Sequence, residues 1–200
     1  MVMLIENNHY VPLYLPDKED MSREEFYAFC VANKHLRIER DENNQIYIMP
    51  PVGGNTGRKH IKTAFALEQW NIQHKLGQTF DSSTGFELPD GSMRSPDAAW
   101  VTNEKWNSIS EEEKENFLPF APDFIIEVLS PTDNLVPARQ KMDKWIQNGT
   151  RLAWLIVPQK QLVFIYRSDG TVDKAEGFDK KLSGENVLPG FEFDLRALLD

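Results

Sequence analysis

Glu127 is the residue whose surroundings are chemically hardest to account for, since it sits in APDFIIEVLS among Phe124, Ile125, Ile126, Val128 and Leu129 with no basic residue beside it. A carboxylate in a dry interior must take up a proton, find a cation or bind a metal ion, because an isolated buried charge is too costly to keep. Asp97 poses the same problem in SPDAAWV, where Ala98, Ala99, Trp100 and Val101 follow it. Two strands that each deliver an acid from an apolar context supply what a hard divalent cation such as Mg2+ requires, namely carboxylate oxygens. Each acid is also compatible with a plainer role, as one half of an ion pair or as a strand-end carboxylate accepting backbone N–H groups, which suits Asp97 better than the mid-strand Glu127. Asp123 follows a proline at the start of its strand, where a turn role fits better than catalysis.

A cation for Glu127 has to come from another element. Period-two alternation puts Asp123, Ile125, Glu127 and Leu129 on one face of their strand, with Phe124, Ile126 and Val128 on the other. In PARQKMDKWIQNG, steps of about 100° per residue group Ala138, Met142, Trp145 and Ile146 as a core face. Lys141 lies at the margin of that face and Lys144 points roughly opposite, into solvent. Lys141 can therefore extend its ammonium to the buried acid while its methylenes pack, either as a working partner or as an ordinary salt bridge.

Other candidates carry less. Glu68 falls angularly between Ile61 and Ile72, partly inward, and is either a third acid or an edge residue with its carboxylate in water. His9, His35, His60 and His74 share no spacing and read as surface or boundary positions. Trp100, Trp145 and Trp154 lie in apolar patterns that suit a core better than base stacking. The glycines of GGNTG lack the lysine of a phosphate-binding loop.

The elements that must position these groups follow from periodicity. Residues 1–20 read as an extended arm and 21–200 as one domain. Ser22 and Glu25 form a capping box at the head of a first helix, HLRIERD and QIYIMP flank the turn DENN as a hairpin, and Thr56 to Leu76 is helical with Ile61, Phe65, Ile72 and Leu76 on one, inward, side. Short strands occupy QTFDSSTGFELPDGSMRSPDAAWV, with a tight turn at the Asp-Gly pair. Residues 103–120 form a small acidic helical excursion. DFIIEVL reads as a central strand buried on both faces, residues 136–148 as a helix stopped by Asn148 and Gly149, and RLAWLIVP, QLVFIYR and TVDKAEG as three strands before a short terminal segment. The mixture specifies an α/β (α+β) fold around a mixed sheet.

Bulk properties narrow the function classes. A net charge of −9 excludes a surface that attracts nucleic acid everywhere, although a local basic strip with Arg139, Lys141, Lys144 and Arg151 remains compatible with it. The lone Cys30 cannot form an internal disulfide, and no Cys/His cluster has zinc-ligand spacing. No run approaches the roughly 18 apolar residues of a membrane span, and a cytoplasmic setting is expected.

IYIMPPVGGNTG, FDSSTGFELPDGSMRSPDAAWV, APDFIIEVLSPTDNL, QKMDKWIQNGTRLAWLIVP and QLVFIYR, in this order and spacing, resemble the Uma-two family of restriction endonuclease-like proteins within the PD-(D/E)XK nuclease superfamily. The resemblance covers about residues 21–170. It implies a restriction-endonuclease-like fold with a central mixed sheet flanked by helices, an endonuclease acting on nucleic acid, DNA in the first place, with Mg2+ or Mn2+, and a homodimer. It further implies that Asp97 and Glu127 hold the metal and that a lysine assists the attacking water. Leu129 stands where the strand lysine is expected, and Lys141 matches the position to which it moves in this family. Asn55 occupies the place of a further acid near GGNTG, which also leaves open a catalytically impaired protein that binds nucleic acid or a protein partner. On this reading Asp97→Ala keeps the fold and abolishes metal-dependent nicking.

Overall fold

Ser22 opens the first helix, α1 (Arg23–Ala32), with reciprocal capping: its side chain accepts from the Glu25 N–H, and the Glu25 carboxylate accepts from the Ser22 N–H. The computed structural model describes residues 21–199, so the arm expected over residues 1–20 lies outside the described residues. After α1 come β1 (Arg37–Arg40) and β2 (Ile46–Met49), an antiparallel hairpin as expected. The chain continues with α2 (Gly54–His74), β3 (Gly77–Asp81), β4 (Phe86–Glu87), β5 (Met93–Arg94), β6 (Ala98–Thr102), α3 (Asn103–Asn107) and α4 (Glu111–Lys114). It ends with β7 (Phe124–Val128), α5 (Leu135–Gln147), β8 (Leu152–Val157), β9 (Leu162–Arg167), β10 (Val172–Glu176), β11 (Lys181–Ser183) and β12 (Glu192–Asp194).

Six strands form the central sheet in the order β10, β9, β8, β7, β6, β3. Only β7 and β8 are parallel, and α5 makes the crossover between them. Alternation along β7 divides the core as its sequence implies. Phe124, Ile126 and Val128 join Leu67 and Trp70 of α2, while Ile125 and Leu129 join Met142 and Trp145 of α5. Trp100, Trp145 and Trp154 are all fully buried core residues. This is the expected mixed sheet flanked by helices.

A smaller sheet, ordered β2, β1, β5, β4, packs Ile38 and Met93 against Phe26 and Phe29 of α1. The Asp-Gly turn joins β4 to β5, with Gly91 at φ 83, a value that favours glycine. Gly149, at φ 106, follows α5 where its stop was expected. Beyond the three expected strands, β11 and β12 pair as a further hairpin.

The face of α2 is a correction. Its buried side carries Thr56, Thr63, Leu67, Trp70 and Asn71, whereas Ile61, Phe65, Ile72 and Leu76 are exposed. Two polar members of the buried side are hydrogen-bonded: Thr63 Oγ1 donates to the His60 carbonyl, and Asn71 donates to the Gly77 carbonyl and accepts from Trp100 Nε1. Hydropathy periodicity misreads a helix whose core face holds hydrogen-bonded polar residues and whose apolar stripe faces outward.

Candidate active site

β6 and β7 pair antiparallel with Ala98 opposite Ile126. One further step of that register sets Asp97 opposite Glu127, so the two acids are cross-strand neighbours at one end of the pair. Asp97 Oδ2 accepts the Val128 N–H at 2.8 Å, which closes the end of the ladder with a carboxylate. Glu127 faces α5, where Trp145 Nε1 lies 3.4 Å from its Oε1 and donates to it.

Lys141 arrives as its place on the wheel of α5 requires. Met142 and Trp145 are fully buried against the sheet, and the lysine at their margin reaches back so that its Nζ stands 2.9 Å from Glu127 Oε1. Lys144 turns away and pairs with Glu42 in the β1–β2 turn at 2.6 Å. Asp123, set aside as structural, is buried and accepts from the Thr102 N–H at 2.9 Å, with Lys105 at 3.1 Å.

Two residues that sequence reasoning passed over, and one that it read as a surface or boundary position, complete the cluster. Glu39 of β1 is buried, and its Oε1 accepts from Lys141 Nζ at 3.1 Å and from the Ser95 N–H at 3.1 Å. Arg37 of the same strand places Nη2 4.0 Å from Asp97 Oδ1 and donates to the Ser95 carbonyl. Alternation in RIER puts Arg37 and Glu39 on one face of β1 and Ile38 on the other. That signal is present in the sequence, but burial of the polar face becomes visible only once β1 is docked. His60 of α2 is the third. Its Nε2 is buried without a hydrogen-bond partner and lies 3.4 Å from Asp97 Oδ2.

The remaining expected candidates lie elsewhere. Glu68 accepts a hydrogen bond from the Thr79 hydroxyl and so ties α2 to β3. It lies two turns beyond His60, about 12 Å along the axis, and does not serve as a third acid. Asn55 lies exposed in the first turn of α2, and the α2 side chain that reaches the acids is His60.

The electrostatics follow from crowding acids at the end of an apolar sheet. Burial raises the Glu127 carboxyl to about 7, with Asp97 and Glu39 adding to the rise and Lys141 opposing it. Burial likewise raises Asp97, against the Val128 N–H, Lys141 and Arg37. Burial works against the charge of Lys141, but Glu127 and Glu39 more than compensate and hold its pKa above the ordinary value. Burial lowers His60, against its interaction with the Val128 carbonyl.

These groups fit a divalent cation. Asp97 and Glu127 are neighbouring carboxylates whose charged forms are disfavoured by burial, and a buried imidazole nitrogen without a hydrogen-bond partner adjoins them. Among the described residues no group of three or more His, Cys, Asp or Glu is arranged to hold a metal ion. Two carboxylates nevertheless suit Mg2+, which keeps several of its waters. No helix among the described residues is long and apolar enough to cross a membrane.

The chain matches the model of a family described as "Uma2: Putative restriction endonuclease" over residues 23–196. It is similar to a solved structure described as a "putative nuclease belonging to DUF820" from Anabaena variabilis. The TM-score is 0.69 at 21% identity, covering 80% of this chain and 88% of that one, a likeness of fold. No curated protein matches.

Proposed function

The chain belongs to the Uma2 family, a nuclease family, and from that membership and the acidic cluster we propose that it is a metal-dependent endonuclease of the PD-(D/E)XK type. Its reaction is hydrolysis of phosphodiester bonds, its substrate is DNA, and it works as a homodimer. Asp97 and Glu127 hold Mg2+ or Mn2+, and Lys141 is the basic partner. The observation that carries the reading is the 2.9 Å contact between Lys141 Nζ and Glu127 Oε1, with Asp97 in register across the strand pair.

When bound, the metal ion lowers the pKa of a water and offsets negative charge on the phosphate. The protein's own groups then have separable tasks. Asp97 and Glu127 supply the anionic oxygens. Lys141 is held as an ammonium by Glu127 and Glu39, so it orients the attacking water and stabilises charge on the phosphate rather than removing a proton. Glu39 positions that ammonium, and Arg37 brings a second positive charge to the edge of the site.

The test is nicking of supercoiled plasmid with and without Mg2+ by the full chain and by Asp97→Asn. Nicking by the wild type that needs Mg2+ and disappears in the variant is expected. Equal nicking by the folded variant refutes the assignment. The absence of a three-residue ligand group among the described residues favours a second reading, a nuclease fold that binds nucleic acid without cutting it. Retention of DNA without cleavage in any metal supports that reading.

A further inference from the structure

Helix α2 presents its apolar stripe to the outside: Ile61 is 65% exposed, Phe65 63%, Ile72 60% and Leu76 42%. Ile61, Phe65 and Ile72 fall within about 40° of arc on the helical wheel, and Leu76 follows directly after the capping residue Lys75. Their combined exposed surface is on the order of 400–500 Å2, comparable with the largest apolar patch of a typical monomer, which is often an interaction site.

The spacing of the stripe identifies what covers it. We infer that α2 packs antiparallel against α2 of a second copy of this chain, about a two-fold axis passing between Glu68 and Gln69. That single axis sets Ile61 against Leu76 and Phe65 against Ile72 of the other copy, so both apolar pairs fall into one register. A two-fold interface needs a surface that is complementary to itself in this way. A stripe that recognises an unrelated protein has no need of such symmetry.

The groups nearest the axis are compatible with it. Glu68 is drawn off toward β3 by the Thr79 hydroxyl, so two carboxylates do not meet at the centre. Gln69 is exposed there and can pair with its own copy. Lys62, which the same register sets opposite the other copy's Lys75, is turned away and donates to the Ala197 carbonyl at 2.6 Å. The apolar stripe alone supplies about half of the roughly 800 Å2 per partner of a standard interface, and the exposed flank of Arg58, Gln69 and Gln73 adds to it.

This inference rests on the homodimer reading and names its surface. Sedimentation velocity of the full chain at micromolar concentration compares the wild type with Phe65→Glu and Ile72→Glu, with circular dichroism as the check on folding. A wild-type dimer and roughly a hundredfold weaker self-association in the variants are expected. Gln69→Cys in a Cys30→Ser background leaves the stripe intact and is expected to cross-link to its own copy on oxidation. A monomeric wild type overturns the homodimer reading together with this surface. A wild-type dimer that survives both charge substitutions and fails to cross-link through position 69 overturns the surface alone.

Discussion

The Lys141 ammonium stands 2.9 Å from Glu127 Oε1 although the two residues belong to different layers, one on the helix and the other on the strand beneath it. Glu39 shares the same ammonium from a third element, the hairpin. The lysine is thus the junction of the cluster.

Lys141→Met is expected to leave two buried carboxylates without their cation, a defect that costs about 3–5 kcal/mol when a buried pair is broken from one side. Denaturant unfolding at pH 7.5 reads the loss. It should shrink at pH 5, where Glu127 takes up a proton, and Glu39→Gln combined with Lys141→Met should recover part of it. Equal destabilisation at both pH values contradicts the account.

Replacing Asp97 separates fold from chemistry only if the right substitution is chosen. Asp97→Ala leaves the Val128 N–H without its acceptor and is expected to lose about 1–3 kcal/mol, which revises the expectation that alanine spares the fold. Asp97→Asn keeps an acceptor oxygen and should stay within about 1 kcal/mol of the wild type by thermal or chemical unfolding, while losing nicking activity.

In the metal-free protein Glu127 is expected to contribute stability that is lost as pH rises from about 4.5 to about 7, with His60, whose pKa is lowered by burial, acting in the opposite direction. Folded Glu127 keeps its proton up to about 7, whereas in the unfolded chain it releases it near the ordinary value of 4.5. Unfolding therefore releases a proton inside that window, so stability falls with pH there and levels off above it. The contribution is on the order of 3 kcal/mol, and Asp97, also raised, acts in the same direction. Subtracting the pH profile of Glu127→Gln isolates the effect, and identical profiles would rule it out.

Added Mg2+ or Mn2+ is expected to raise the melting temperature at pH 8. At a hundred times the dissociation constant the gain is about 2.7 kcal/mol. Glu127→Gln should abolish the shift. Binding by the wild type at pH 6 should release protons, measurable by calorimetry in buffers of different ionisation enthalpy, because ligation competes with the proton on Glu127.

Asp97, Glu127 and Lys141 are legible in the sequence because the signal is local: an acid inside an apolar strand, and a lysine at the edge of a helix face. Glu39 and Arg37 are not, because a polar face on a four-residue strand looks the same whether it meets water or α5. His60 reads as a boundary residue for a similar reason, since nothing in its helix reveals that Asp97 lies beside it. The orientation of α2 is hidden from hydropathy because Thr63 and Asn71 occupy the core side and apolar residues the outer one. The central place of β7, by contrast, follows from its nearly continuous apolar run, which suits a strand buried on both faces.

Because the ammonium is delivered by α5, Leu129 can keep its place in the apolar layer beneath the helix. The arrangement makes the charge pair sensitive to shear. A helix that slides by one turn along its strand carries its side chains about 5.4 Å, nearly twice the distance that separates Lys141 from Glu127. The link between Lys144 and Glu42 and the packing of Met142 and Trp145 hold α5 against that displacement, so substitutions remote from the acids that loosen this helix should disable the site without touching any group in it.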